Sequence, residues 1–328
     1  MNIGIIFGGK SFEHEISIIT AYQLKKKLLE YHNVYMIYVD INGNIYDCSK
    51  MNLNNFKNNK LSFNKLKLNK LHLDIIIGAM HGENGEDGYA YNFARINNIK
   101  YFGSKGFGSS IALDKYKTYT YLSNNGIKMI PSYIYTYDDY LKGKDIEEYP
   151  CIVKPLYGGS SIGIEVIKNN DEAICKLSNA FEFTDKILVQ KYYDNIIEYN
   201  LALTEFDYSN LERINNKNEI FSFENKYNDS FKLIHQELIN DDLYDRFKEI
   251  GRKVYELLDL NGIIRIDFFL INNEIYVNEV NTTPGALSMY LFDDFMEVFN
   301  KSLNKVLREK NVNYKVNYGI LKNSNINK

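Results

Sequence analysis

Apolar positions in this chain recur in two rhythms, and the first of them opens the sequence. Ile3 to Phe7 is a short β-branched run closed by Gly8-Gly9, which reads as a buried strand. The hydroxyl of Ser17 suits a helix cap, so the pattern predicts a helix from about Ser17. Val34 to Val39 and Asp74 to Ala79 read as further strands, and alternation of strand with helix predicts a parallel sheet. The next stretch predicts a helix after Asp114 and two strands, Cys151 to Pro155 and Gly163 to Ile167, flanking Gly158-Gly159-Ser160-Ser161 as a hairpin. Ile187 to Gln190 is a strand on a boundary. Beyond it come strands at Glu198 to Thr204, Ile263 to Leu270 and Glu274 to Val280, the last two joined by Ile271-Asn272-Asn273 as a hairpin turn. The expected division is an α/β substrate-binding domain over 1–104, a central domain over 105–190 and a C-terminal domain over 191–328.

Composition narrows what such a chain can do. Its 328 residues suit two or three packed domains, and 45% hydrophobic content is that of a globular protein. A net charge of -3, from 39 Lys and Arg against 42 Asp and Glu, gives no general attraction to nucleic acid or to an anionic membrane. Any anionic ligand must therefore be held by local groups. Cys48, Cys151 and Cys175 are scattered, which argues against a disulfide scaffold or a zinc site and for a reducing cytoplasm. The apolar N-terminal run is too short for a signal or spanning helix, and nothing else reaches transmembrane length. The Asn- and Lys-rich stretch from Asn52 to Lys70 reads as a surface segment.

Three clusters carry candidate chemistry. Alternation along Ile263 to Leu270 puts Arg265, Asp267 and Phe269 on one face, and along the partner strand it groups Val277, Glu279 and Asn281. A hairpin can then assemble two carboxylates and an amide oxygen, hard ligands suited to Mg²⁺ or Mn²⁺. Arg265 beside them suits a developing oxyanion or a transferring phosphoryl group. An ordinary charged hairpin edge would show the same residues. Gly158 to Gly163 lets backbone amides approach phosphates, with Lys154 and Lys115 adding charge, although it lacks the Gly-Lys-Ser/Thr ending of a Walker loop. A structural turn is the plain alternative. In the third cluster, Glu13 can accept from a substrate ammonium, or with Glu15 it can complement a helix dipole. His81 is a ligand contact or a satisfied strand-end histidine. With His14 it is no metal signature, because no third nitrogen or sulfur ligand accompanies the pair.

Taken in order, these motifs resemble the D-alanine-D-alanine ligase family of ATP-grasp enzymes over nearly the whole chain: GGKSFEHEIS at Gly8 to Ser17, HGENGEDG at His81 to Gly88, Asp114-Lys115, VKPLYGGSSIG at Val153 to Gly163, Lys226-Tyr227, RIDF at Arg265 to Phe268 and NEVNTTPG at Asn278 to Gly285. The resemblance implies an α/β, three-domain ATP-grasp fold with an N-terminal parallel-sheet domain, and a cytoplasmic, ADP-forming ligase of two D-alanines for peptidoglycan synthesis. ATP would phosphorylate the first carboxylate, and the second amine would attack the acyl phosphate. Lys115, Lys154, Gly159, Ser161, Gln190, Glu198 and Lys226 would serve the nucleotide, and Asp267, Glu279 and Asn281 the Mg²⁺. Glu13 would bind the first ammonium, Ser160 and Tyr227 would join Glu13 and Glu86 in ordering the active-site loop, and Arg265 with the Gly285 amide would form the oxyanion site. His81, Glu86, Ser288, Tyr290 and Leu291 would line the substrate. The implied partners are small amino acids and a second copy in a homodimer. Three positions depart from the pattern: Tyr290 stands where the family has the Ser that holds the second carboxylate, Gln190 replaces a Glu that accepts from adenine, and Tyr91 replaces a Gln. Tyr290 opens the alternative of a different second substrate on the same fold. A nucleotide-binding protein without catalysis is the alternative from another class.

Overall fold

The computed structural model describes residues 1–159, 162–214, 241–310 and 319. Three sheets organise the described chain. The first has six strands, in spatial order Asn64–Lys65, Ile45–Asp47, Asn33–Val39, Asn2–Gly8, Ile75–Gly78 and Lys100–Phe102, with its last four parallel. Ile3, Ile5 and Phe7 point to one face and Ile6 to the other, all fully buried, as expected of a parallel strand covered on both sides. The helix begins at His14, ahead of the expected start at Ser17. Ser17 is no cap: its buried hydroxyl accepts from Gly8 N–H (2.7 Å) and donates to the Ala79 carbonyl (2.6 Å), tying the ends of two parallel strands together.

The second sheet is antiparallel, in the order Ser132–Thr136, Lys186–Lys191, Cys151–Pro155 and Glu165–Ile167. The helix Asn170–Phe181 lays Ala173, Leu177 and Ala180 on Val153, Ile167 and Ile187. The third sheet runs Tyr208–Ile214, Ile197–Leu203, Ile264–Ile271 and Glu274–Asn281, with the helix Asp241–Leu257 packing Phe247 and Val254 against Phe268 and Ile266. Its hairpin turn is tighter than expected. Ile271 still pairs with Glu274, so Asn272 and Asn273 make a two-residue turn at φ +50° and +64°, values that asparagine tolerates best among residues with a side chain.

Sequence order and packing part company at two places. Helices Gly106–Leu113 and Lys115–Asn124 contribute Ala112 and Leu122 to the core of the third sheet. The last described helix, Phe295–Arg308, returns to the first core, where Phe299 packs on Phe102 with ring centroids 4.8 Å apart. These crossings hold the third sheet against the first, and the site lies along that seam. All three cysteines are free, and among the described residues no helix is long and apolar enough to cross a membrane.

Candidate active site

The acidic hairpin owes its geometry to a bulge. Simple alternation from the core residues Ile275 and Val277 would bury Glu279, and the expectation that Val277 shares a face with Glu279 fails for that reason. Asp267 pairs with Glu279 but Phe268 pairs with Val277, so Asn278 is an extra residue that reverses the phase of the strand. Val277 and Val280 stay in the core while Glu279 and Asn281 join Arg265 and Asp267 on the opposite face. Arg265 holds Asp267 through two bonds, Nε to Oδ1 at 2.6 Å and Nη2 to Oδ2 at 2.9 Å, and Lys115 Nζ lies 3.1 Å from Glu279 Oε1. The Asn281 amide nitrogen is buried without a hydrogen-bond partner among the described residues. No group of three His, Cys, Asp or Glu side chains clusters as a metal site among the described residues. Two carboxylates and one amide oxygen on a common face are nonetheless a hard-oxygen donor set that fits Mg²⁺ when phosphate and water complete its shell.

Opposite that hairpin stands a cationic wall. Lys115 begins a helix capped by Asp114, whose carboxylate accepts from the N–H groups of Tyr116 (3.1 Å) and Lys117 (2.9 Å), and its ammonium also donates to the Gly158 carbonyl (2.6 Å). Lys154 is buried and reaches Asn278 Oδ1 at 3.3 Å, so the bulge residue doubles as its anchor. Burial pushes the Lys154 ammonium down to about 8, the charge of Lys115 pushes the same way, and Glu279 and Glu198 oppose both. Gln190 is buried on the neighbouring strand with its amide nitrogen donating to Ser132 Oγ (3.1 Å). The structure thus brings Lys115, Lys154, Glu198 and Glu279 together. Ser160, Ser161, Lys226 and Tyr227 lie outside the described residues.

A third group joins the first sheet to the loop after the hairpin. Glu86 accepts from Gly82 N–H (3.0 Å), Thr283 N–H (2.8 Å) and the Thr282 hydroxyl (3.2 Å), bridging two segments far apart in the chain. Desolvation of its partly buried carboxyl, with Glu13 nearby, raises it to about 7 against the pull of those donors. His81 is buried with Nε2 2.8 Å from Thr20 Oγ1, and it makes a hydrogen bond with the Thr283 backbone. Burial lowers its pKa, so the ring is neutral and Thr20 can donate to it while accepting from Ala286 N–H (3.0 Å). The Glu13 carboxylate sits between glycines: a Cβ on Gly159 would lie 3.0 Å from it, and one on Gly82 3.1 Å. Glycine at those two positions lets the first sheet's loop and the hairpin of the second sheet close on the same carboxylate.

The segment Gly285–Leu291 then turns through a conformation that side chains rarely adopt. Ala286, Leu287 and Ser288 all have φ near +50°, which costs roughly 1–2 kcal/mol each. Leu287 and Leu291 offset that strain by anchoring in the first core, and Ser288 is fully buried with its hydroxyl unpartnered among the described residues. Tyr290 points its hydroxyl into the site and donates to Glu212 Oε2 (2.9 Å). Sequence reading missed Thr20, Thr282, Thr283, Asn278 and Glu212. The two threonines and Asn278 stood inside a recognised motif, whereas Thr20 and Glu212 carry no local signal.

A glycine hairpin and lysines facing an acidic hairpin, beside an α/β sheet with four parallel strands, are the architecture of an ATP-grasp ligase. The chain belongs to the D-alanine-D-alanine ligase family, since the family model for the D-ala D-ala ligase N-terminus matches residues 2–104 and that for the C-terminus residues 122–307. It is 36% identical to a D-alanine--D-alanine ligase of Campylobacter jejuni, over 99% of this chain and 98% of the relative. With one from Helicobacter pylori the identity is 32%, over 97% and 98%. The crystal structure of a Helicobacter pylori D-alanine-D-alanine ligase superposes with a TM-score of 0.76 at 32% identity, covering 94% of this chain and 98% of that one.

Proposed function

We propose that the protein is an ADP-forming ligase that joins two D-alanine molecules, supplying D-alanyl-D-alanine for peptidoglycan precursors in the cytoplasm. The observation that carries this is the bulge that places Asp267, Glu279 and Asn281 on one face, with Lys115 and Lys154 opposite. The residues act as follows. Glu13 holds the first ammonium, which directs that molecule's carboxylate toward the γ-phosphate of ATP. Carboxylate oxygen attacks phosphorus, the β–γ bridge breaks, and an acyl phosphate and ADP result. Lys115 and Lys154 neutralise phosphate charge, and positioning with charge neutralisation is most of what phosphoryl transfer needs. Mg²⁺ held by Asp267, Glu279 and Asn281 would neutralise further charge on the phosphates. The neutral amine of the second molecule then attacks the acyl carbon, Arg265 and the Gly285 N–H stabilise the oxyanion, and phosphate leaves with the proton that the nitrogen gives up as the peptide bond forms.

The remaining assignments belong to the same proposal. Gln190, Glu198 and Gly159 serve the nucleotide, together with Ser161 and Lys226, while Ser160 and Tyr227 complete the loop-ordering group. Residues 1–104, 105–190 and 191–328 are the three functional domains, and the active form is a homodimer. Phosphate release from ATP in the presence of D-alanine, with the dipeptide identified by mass, tests the reading. Absence of D-alanine-stimulated release at saturating ATP and Mg²⁺ rules it out. Because Tyr290 is hydrogen-bonded to Glu212, a second reading keeps the fold but changes the acceptor, and a panel of amino-acid acceptors separates the two.

A further inference from the structure

Tyr290 is one of the three positions that depart from the pattern the chain resembles, and its surroundings say how the change is accommodated. Tyr290 is 47% exposed, and desolvation where its hydroxyl meets Glu212 raises the phenol's pKa. Its donor capacity is used up inside the protein: a phenol has one hydrogen, and it goes to Glu212 Oε2 at 2.9 Å. The same carboxylate oxygen accepts from Asn200 Nδ2, also at 2.9 Å. Glu212 lies on the strand Tyr208–Ile214 and Asn200 on its neighbour, directly across from Asp267, so two paired strands of the third sheet hold the carboxylate. Arg265 feels the charge of the Glu212 carboxylate and lies near Tyr290, which places the pair beside the guanidinium assigned to the oxyanion.

Resting on the proposed ligase reading, we infer that Glu212 is a positioning residue for the acceptor: it clamps Tyr290 so that the aromatic ring walls the acceptor subsite, and the phenol donates nothing to the acceptor carboxylate. A hydroxyl supplied by a serine could rotate its hydrogen toward a substrate. Here the hydrogen is committed to an anion, and a charge-assisted bond of this kind is among the stronger ones a side chain makes. The acceptor carboxylate must therefore find its donors among other groups, and a small acceptor side chain meets carbon at Tyr290. Glu212 has a second, opposite influence. As an anion near Arg265 it repels an acceptor carboxylate, so a purely electrostatic role and a positioning role predict opposite signs.

The test is a double-mutant cycle of Glu212→Ala and Tyr290→Phe, with KM for the acceptor measured separately from kcat and from KM for ATP. Clamping predicts that each single variant raises the acceptor KM by a similar factor, up to roughly 10²-fold for a ring displaced by about an ångström, with KM for ATP unmoved. The double variant should be no worse than either single one. Three outcomes overturn the inference. Glu212→Ala lowering the acceptor KM assigns Glu212 to charge alone, Tyr290→Phe raising it while Glu212→Ala leaves it unchanged assigns the phenol directly to substrate, and additive effects deny the coupling. Thermal melting of the same four proteins keeps the question open to refutation if no acceptor is turned over at all. Clamping predicts non-additive melting temperatures, and strict additivity sinks it independently of the ligase reading.

Discussion

Replacing Glu86 with glutamine removes a carboxyl group that ties the first sheet to the loop after the acidic hairpin. In the folded protein that carboxyl titrates at about 7, against an ordinary 4.5, because burial outweighs its three donors. A carboxyl whose folded pKa is raised binds its proton more tightly in the native state. Its contribution to stability is full below about pH 4.5 and is lost as the pH rises through about 7. The span corresponds to about 3 kcal/mol. For a chain of this size that is on the order of 5–10 °C in melting temperature. His81 works in the opposite sense: its pKa is lowered by burial, so its contribution is lost as the pH falls through the folded value, below 6.5. Wild type and Glu86→Gln share the histidine, and the difference between their melting curves from pH 5 to pH 8 isolates the carboxyl. We expect wild type to lose several degrees relative to the variant across that range. A difference that stays flat would mean that Glu86 is ionised throughout and that its donors, not its burial, set its charge.

Further predictions concern the cationic wall, the hairpin and one helix cap. With Lys154 titrating at about 8 in the free protein, kcat/KM for ATP should fall as the pH rises through that value, and Lys154→Arg should move the fall to higher pH. An unchanged profile would remove Lys154 from phosphate binding. Asp267→Asn and Glu279→Gln should each lower kcat by roughly 10²–10³ while leaving the melting temperature near wild type, since both carboxylates sit on the sheet face away from the core; retained turnover would refute the metal-binding assignment. Chelation of divalent ions should abolish turnover reversibly, with ADP formation as the readout. Asp114→Ala should cost about 1 kcal/mol in urea unfolding through the lost cap, and would also loosen Lys115, so KM for ATP should rise with it.

How much of this was legible beforehand varies from residue to residue. The buried strands Asn2–Gly8, Asn33–Val39 and Ile75–Gly78 announce themselves as β-branched runs, and the cap at Asp114 is a local motif. Ser132–Thr136 and Tyr208–Ile214 went unread, since their tyrosines and polar residues follow neither a continuous apolar run nor a clean alternation. Ser17 was misassigned because the same hydroxyl that can cap a helix can also bridge two strands, and only the presence of Ala79 beside it decides which.

The amino-acid sequence by itself determined the order of the motifs, the hard-oxygen donors at Asp267, Glu279 and Asn281, and the glycine hairpin with its lysines, because residue type and near-neighbour spacing are properties of the chain. Tertiary structure alone decided the rest. The bulge at Asn278 depends on how Glu274–Asn281 registers against Ile264–Ile271, and register is a matter of pairing between strands. The bridge from Glu86 to Thr283, the relay from His81 through Thr20 to Ala286, and the clamp of Glu212 on Tyr290 all join residues distant in sequence. Hydrogen bonds are directional and short, so no pattern along the chain can encode such partners until packing has brought them within three ångströms of one another.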